Sequence, residues 1–173
     1  MILLASTVPG KRERHRSGCP VSTGLEIFGD RWSLLIVRDM MVGGLRTFKE
    51  FQGAGEGIAS NILADRLKKL ELAGILIPET EESDKRKVNY RLTEKGIDLA
   101  PALLELLIWG ARHEKTGMPR AFIAHMEQHR AGMLAEVRRR WQERDATPLY
   151  RVSATTGRVE LVVPKNSERR RNE

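Results

Sequence analysis

Apolar residues recur at helical spacing from Val21 onward. In VSTGLEIFGDRWSLLIVRDMMVGG the positions Leu25, Phe28, Trp32, Leu35, Ile36 and Met40 share a stripe, which predicts helix. Gly29 interrupts the stripe and Asp30 is placed to cap a second helix, so two consecutive helices are expected, stopped at Gly43-Gly44. RTFKEFQ (residues 46–52) reads as a short helix with Phe48 and Phe51 on one face, and the turn GAGEG follows. Residues 58–74, IASNILADRLKKLELAG, read as a longer helix ended by Gly74. Ile62 or Leu63, Leu67 and Leu70 form its inner stripe, while Ser60, Asn61, Ala64, Asp65 and Lys68 fall on the opposite face. A short helix, a glycine turn and a longer helix with a polar outer face make a helix-turn-helix in outline.

The pattern then switches period. ILIPETE (75–81) and KVNYRL (87–92) are β-capable runs joined by a charged tip, which predicts a two-stranded wing. Thr93 is placed to cap a helix from Glu94 to about His113, with Pro101 near its first turns or kinking it. That helix is apolar on more sides than one small core needs, and the same helix of a second subunit would use the surplus. Residues 118–145 are expected to form one further helix with a basic end at Arg138-Arg139-Arg140 and Arg144. PLYRVSATTGRVELVVP is expected as a hairpin around a Thr-Gly turn, and SERRRNE as a disordered tail. The expected organisation is a basic arm (1–18), a winged-helix domain (19–115) and a C-terminal extension (116–173), in a mainly α fold with a small β component.

Charge sharpens this division. The net +7 is uneven: four Lys/Arg stand against one acid in residues 1–19, fourteen against fifteen in 20–115, and twelve against seven in 116–173. The centre is nearly neutral, so nucleic-acid binding there must rest on where its cations sit. No apolar run is long enough to span a bilayer, and MILLASTVPGKRER puts apolar residues ahead of charges, the reverse of a signal peptide. A cytoplasmic protein without membrane partners is expected. The single cysteine, Cys19, excludes an intramolecular disulfide framework.

Several short stretches in this order resemble the HxlR-type winged helix-turn-helix transcription regulators of the MarR-like superfamily. They are Cys19-Pro20 ahead of the first helix, GDRW before the second, RTFKEF before the glycine turn, SNILADRLKKLELAGIL, YRLTEKG after the wing, and LAPALLELLIW. Within the wing, Asp84 and Arg86 are similar to the Asp-x-Arg of MarR-type wing tips. The resemblance covers roughly residues 19–115. It implies a homodimer that binds double-stranded operator DNA, a repressor by default, responding to a small effector or to thiol chemistry. The extension is not required by the family.

The candidate DNA contacts follow from placement. Ser60, Asn61, Ala64, Asp65 and Lys68 face a major groove, where hydroxyl and amide groups read base edges and Lys68 reaches phosphate or guanine. Arg66 flanks the inner stripe and is the structural alternative. Asp84, Lys85, Arg86 and Lys87 are placed to follow backbone phosphate or enter a minor groove. Thr47 and Lys49 are backbone anchors at a helix N-terminus. Cys19 reads either as an unremarkable thiol or as a redox sensor. His125 and His129 lie four apart, but no further ligand completes a metal site, and Arg138–Arg140 read as a solvated helix end. No cofactor is expected. The chain offers no nucleophile-base pair, phosphate loop or paired acids, so no enzyme is expected. The rival reading is a winged-helix protein-interaction module.

Overall fold

The structure is a computed structural model that describes residues 16–81, 84–152 and 159–162, of which 81, 84–87, 151–152 and 159–161 are described by backbone alone. The chain opens with α1 (Pro20–Phe28) and α2 (Arg31–Arg38), separated at Gly29-Asp30. Asp30 caps α2 as expected: its carboxylate accepts from the backbone N–H of Trp32 (2.8 Å) and Ser33 (3.0 Å) and from the Ser33 hydroxyl (2.6 Å). The last turn of this stripe widens into a π turn (Asp39–Gly43), ended by Gly44 in the left-handed conformation (φ 71°). Gly44 is also required sterically, because a Cβ there would lie 1.9 Å from the carbonyl oxygen of Ala146.

The expected helix at 46–52 is shorter. It is α3 (Phe48–Gln52), capped by Thr47, and Arg46 lies outside it. Arg46 instead donates its guanidinium to the carbonyls of Met40 (2.7 Å) and Leu45 (2.8 Å), bracing the π turn. A glycine turn leads to α4 (Ser60–Leu72), whose Leu63, Leu67 and Leu70 are buried. They join Val37, Met40, Phe51 and Ile75 in the core.

The wing is β1 (Leu76–Glu81) paired antiparallel with β2 (Asp84–Leu92), in register from Leu76↔Leu92 to Thr80↔Val88. Beyond Thr80 the register breaks and Glu81 pairs with Asp84, leaving residues 85–87 as an insertion in the second strand. The charged tip expected between the strands is thus mostly part of β2. Pro78 sits opposite Tyr90, whose N–H turns away to the carbonyl of Arg46 (2.6 Å), so no ladder bond is lost at the proline. Thr93 ends the wing: its hydroxyl accepts from the Gly96 N–H (3.1 Å) and donates to the Gly74 carbonyl (2.6 Å).

The single helix expected from Glu94 to His113 is two, α5 (Glu94–Ile97) and α6 (Ala100–His113). Pro101 has no N–H to continue the ladder and settles in the first turn of α6. The helix expected over 118–145 is likewise two, α7 (Arg120–Gln128) and α8 (Arg130–Gln142). They break at His129 (φ −119°, ψ 28°), where the Arg130 guanidinium takes the Glu127 carbonyl that a continuous helix would use. β3 (Tyr150–Val152) and β4 (Val159–Leu161) form the expected hairpin, whose turn lies outside the described residues. So do the proposed arm up to residue 15 and the tail.

The surplus apolar face of α6 is shared differently from the expectation. Phe122, Ile123 and Met126 of α7 and Met133 and Val137 of α8 are buried in one continuous core with Leu104 and Ile108 of α6 and Met41 of the π turn. Part of the surface assigned to a second subunit is therefore covered within the chain. Part is not: Leu106 and Trp109 of α6 remain 51% and 55% exposed. In α1, where no residue is buried, Val21 and Leu25 are 70% and 60% exposed.

Candidate nucleic-acid interface

The outer face of α4 is built as its spacing requires. Ser60, Asn61, Ala64, Asp65 and Lys68 are all exposed, opposite the buried Leu63, Leu67 and Leu70. Ala59 precedes the helix without a side-chain cap, leaving its first amides to solvent or to an incoming acceptor. Asp65 does not stand as a bare anion. Lys69 lies 3.5 Å from its carboxylate and Arg66 3.3 Å, a neutralisation that the i,i+4 spacing of Asp65 and Lys69 announces. Lys68 pairs loosely with Glu71 (3.4 Å) and keeps most of its surface in solvent.

Arg66 resolves toward structure. Its guanidinium lies 3.1 Å from Asp30 and ties the middle of α4 to the cap of α2. Burial opposes the Asp30 charge, but the Ser33 and Trp32 hydrogen bonds and Arg66 outweigh it and hold this carboxyl below its ordinary range. The pair fixes how α4 projects from the core, yet 36 residues separate its members and no local pattern announces the partnership.

The N-terminus of α3 is already filled. Glu50 accepts from the N–H groups of Arg46 and Thr47 (both 2.8 Å), and Thr47 accepts from the Glu50 N–H (3.3 Å), a complete capping box. Burial resists ionisation of Glu50, while these backbone bonds prevail and lower its pKa. A phosphate at this terminus would meet a carboxylate, so exposed Lys49, not the helix end, is the outward group of α3.

Asp84, Lys85, Arg86 and Lys87 have their backbone in β2, and their side chains lie outside the described residues. The base of the wing is held from two sides. Thr47 bridges Asn89, tying the wing to α3. From the extension, the Trp141 indole N–H donates to the Leu92 carbonyl (2.7 Å), Arg91 stacks on the Trp141 ring (5.2 Å), and Arg144 pairs with Glu79 (3.0 Å).

The arginine run of α8 is not a solvated end. Arg138 pairs with Glu94 of α5 and with Asp98 just after it, and Arg139 with Glu136, Glu143 and Asp145. Arg140 is only 3% exposed and donates to Glu136 (2.6 Å) and to the carbonyls of Thr147 (2.7 Å) and Val162 (2.6 Å). These cations hold the extension together and fasten it to the core, so much of the positive charge of residues 116–173 is spent internally.

Cys19 is exposed and precedes α1, with its backbone N–H on the Ser17 hydroxyl (3.0 Å). His125 and His129 stack at 4.2 Å, and no group of three or more metal-ligating side chains occurs among the described residues. Nor is any helix among them long and apolar enough to cross a membrane.

The profile of the HxlR-like helix-turn-helix family matches residues 27–118, from the end of α1 through α6. The chain belongs to the HxlR-like family. It is 33% identical over 97 residues to YdeP of Bacillus subtilis, an uncharacterised HTH-type transcriptional regulator, covering 56% of this chain and 75% of that one. Its fold is similar to the crystal structure of PA1607 (TM-score 0.54, 42% identity, 58% of this chain and 69% of that one). It is also similar to the redox regulator HypR in its oxidised form (TM-score 0.51, 31% identity, 57% of this chain and all of that one). Membership makes DNA-binding transcription regulation the class of function. The family match ends before α7, so the helices that brace the wing base lie outside it.

Proposed function

We propose that this HxlR-like protein is a homodimeric repressor that binds a pseudo-palindromic operator. The observation that carries the DNA half is the outer face of α4, five exposed small, polar or charged residues beside a wing. In this reading Ser60, Asn61 and Ala64 face base edges and Lys68 faces phosphate or guanine. Asp65, already held by Lys69, orients that cation toward the backbone. Asp84, Lys85, Arg86 and Lys87 follow the wing into backbone or minor groove, and Lys49, with Thr47 holding its helix, anchors the adjoining strand.

The dimer half rests on α1. A nine-residue helix with no buried side chain and with Val21 and Leu25 turned to solvent needs a covering surface. A second copy supplies one, with Leu106 and Trp109 of α6 in the same interface. The two α4 helices would then lie about 34 Å apart, one turn of DNA. Cys19 at the head of α1 places a thiol at that interface, and HypR, a redox regulator of similar fold, supports a thiol-responsive reading.

The test is a fluorescence-anisotropy titration of the DNA upstream of the protein's own gene, across salt concentrations, against unrelated DNA of equal length. Specific binding should exceed non-specific binding by about a thousandfold or more. Equal, salt-labile binding to both would instead favour a protein-interaction module. The thiol reading is tested by repeating the titration with an oxidant for wild type and Cys19→Ser. Equal responses would remove Cys19 from the mechanism.

A further inference from the structure

A pocket of about 240 Å³ opens where the family core meets the extension. Leu34 of α2 and Leu107 of α6 form one wall, and Phe122 of α7 and Leu134 of α8 form the other. α7 and α8 follow the family match, so this pocket is built partly outside it. Of the exposed residues proposed for dimerisation, Leu106 also lines this pocket, whereas Val21, Leu25 and Trp109 do not.

Its chemistry selects a narrow ligand class. Apart from Arg38 and Tyr150, every lining residue is apolar. The Arg38 guanidinium is already neutralised by Asp39 (2.7 Å) and Glu56 (2.9 Å), so no free counter-charge awaits an ion. Tyr150 is held edge-on against Phe122 (5.3 Å) and offers a single hydroxyl. An apolar cavity of about 150 Å³ accepts benzene, so this volume fits roughly a two-ring molecule. Burying a charge among such walls without a partner would be prohibitively costly.

The pocket also touches the element that aims the DNA-binding helices. Met41 and Val42 of the π turn line it, and five residues after Val42 the chain reaches Thr47, the cap of α3. The same turn is held from the extension, by the Leu149 N–H on the Val42 carbonyl (2.7 Å). We propose that this pocket binds an uncharged aromatic molecule of about two rings, and that its occupation shifts the π turn and thereby the setting of α3 and α4. The binding half stands on the pocket alone, whereas the regulatory half rests on the DNA-binding function proposed above.

The experiment is a ligand-observed saturation-transfer NMR titration of the full chain with 2-naphthol, neutral at neutral pH, and with the anion 2-naphthoate. 2-Naphthol should bind at least about tenfold more tightly than 2-naphthoate, since a charge without a partner is penalised there. Leu134→Trp, which fills the pocket from a half-buried position, should abolish 2-naphthol binding, and Leu25→Ser on the exposed face should leave it unchanged. Circular dichroism checks that each variant is folded. Should Leu134→Trp not fold, Leu107→Ala replaces it, and the enlarged pocket should then favour the three-ring 9-hydroxyphenanthrene over 2-naphthol relative to wild type. Equal affinity for the two naphthyl compounds, or binding lost in Leu25→Ser and kept in Leu134→Trp, overturns the pocket assignment. Operator affinity unchanged at saturating 2-naphthol overturns the coupling alone, and absence of operator binding under any condition overturns the DNA reading while the NMR result stands.

Discussion

Replacing Gly44 by Ala tests whether the C-terminal extension is docked on the helix-turn-helix core as described. Two costs combine at this position. Gly44 has φ 71°, where an alanine costs about 1–2 kcal/mol. Its new Cβ would also fall 1.9 Å from the Ala146 oxygen, so the segment that follows α8 must move away. That movement breaks the Leu149–Val42 backbone bond, about 0.5–1.5 kcal/mol, and exposes Leu149, about 1.5–3 kcal/mol. Gly55 is the internal control. It too has positive φ (90°), but nothing lies within 4 Å of its added Cβ, so only the conformational cost applies. At about 2–4 °C per kcal/mol for a chain of this size, Gly55→Ala should lower the melting temperature by roughly 5 °C and Gly44→Ala by roughly 14 °C. Differential scanning calorimetry of the two variants beside wild type decides the matter. Equal losses would refute the docking of residues 146–149 against the π turn, and with it the pocket that this docking encloses.

Three further outcomes are expected. Asp30, Glu50, Glu136 and Asp145 all have lowered pKa values, so each contributes stability that is present above the ordinary carboxylate range and lost as pH falls through the lowered values. The urea midpoint should therefore drop below about pH 4, and less steeply in Asp30→Asn; parallel profiles would remove Asp30 from the account. Arg86→Ala should weaken binding to every DNA sequence alike and reduce the salt slope by about 0.9 per subunit, about 1.8 for the dimer, measured by anisotropy at several salt concentrations; an unchanged slope would sink the wing contact. Leu25→Ser combined with Trp109→Ala should give a monomer by sedimentation velocity and lose cooperative operator binding, whereas an undiminished dimer would place the interface elsewhere.

The division between what was legible in the chain and what was not follows the range of the interactions. The caps at Asp30 and Thr93 and the inner stripe of α4 rest on contacts within a few residues, and each appears where the pattern places it, as does the wing that follows. So does the outward set from Ser60 to Lys68, because a helix with Leu63, Leu67 and Leu70 buried has no other side to turn to solvent. The arginine run was different. Arg138, Arg140 and Arg144 find partners 40, 22 and 65 residues away, just past α5, beyond the hairpin and in the wing, and spacing along α8 carries no trace of them. The surplus apolar face of α6 was visible as a surplus, but its occupant was not. An apolar stripe records only that water must be excluded, and here α7 and α8 meet part of that demand while Leu106 and Trp109 stay largely exposed. Sequence periodicity thus determined which faces turn inward, and tertiary packing alone decided what they turn toward, because burial is non-directional and takes its partner from the whole chain.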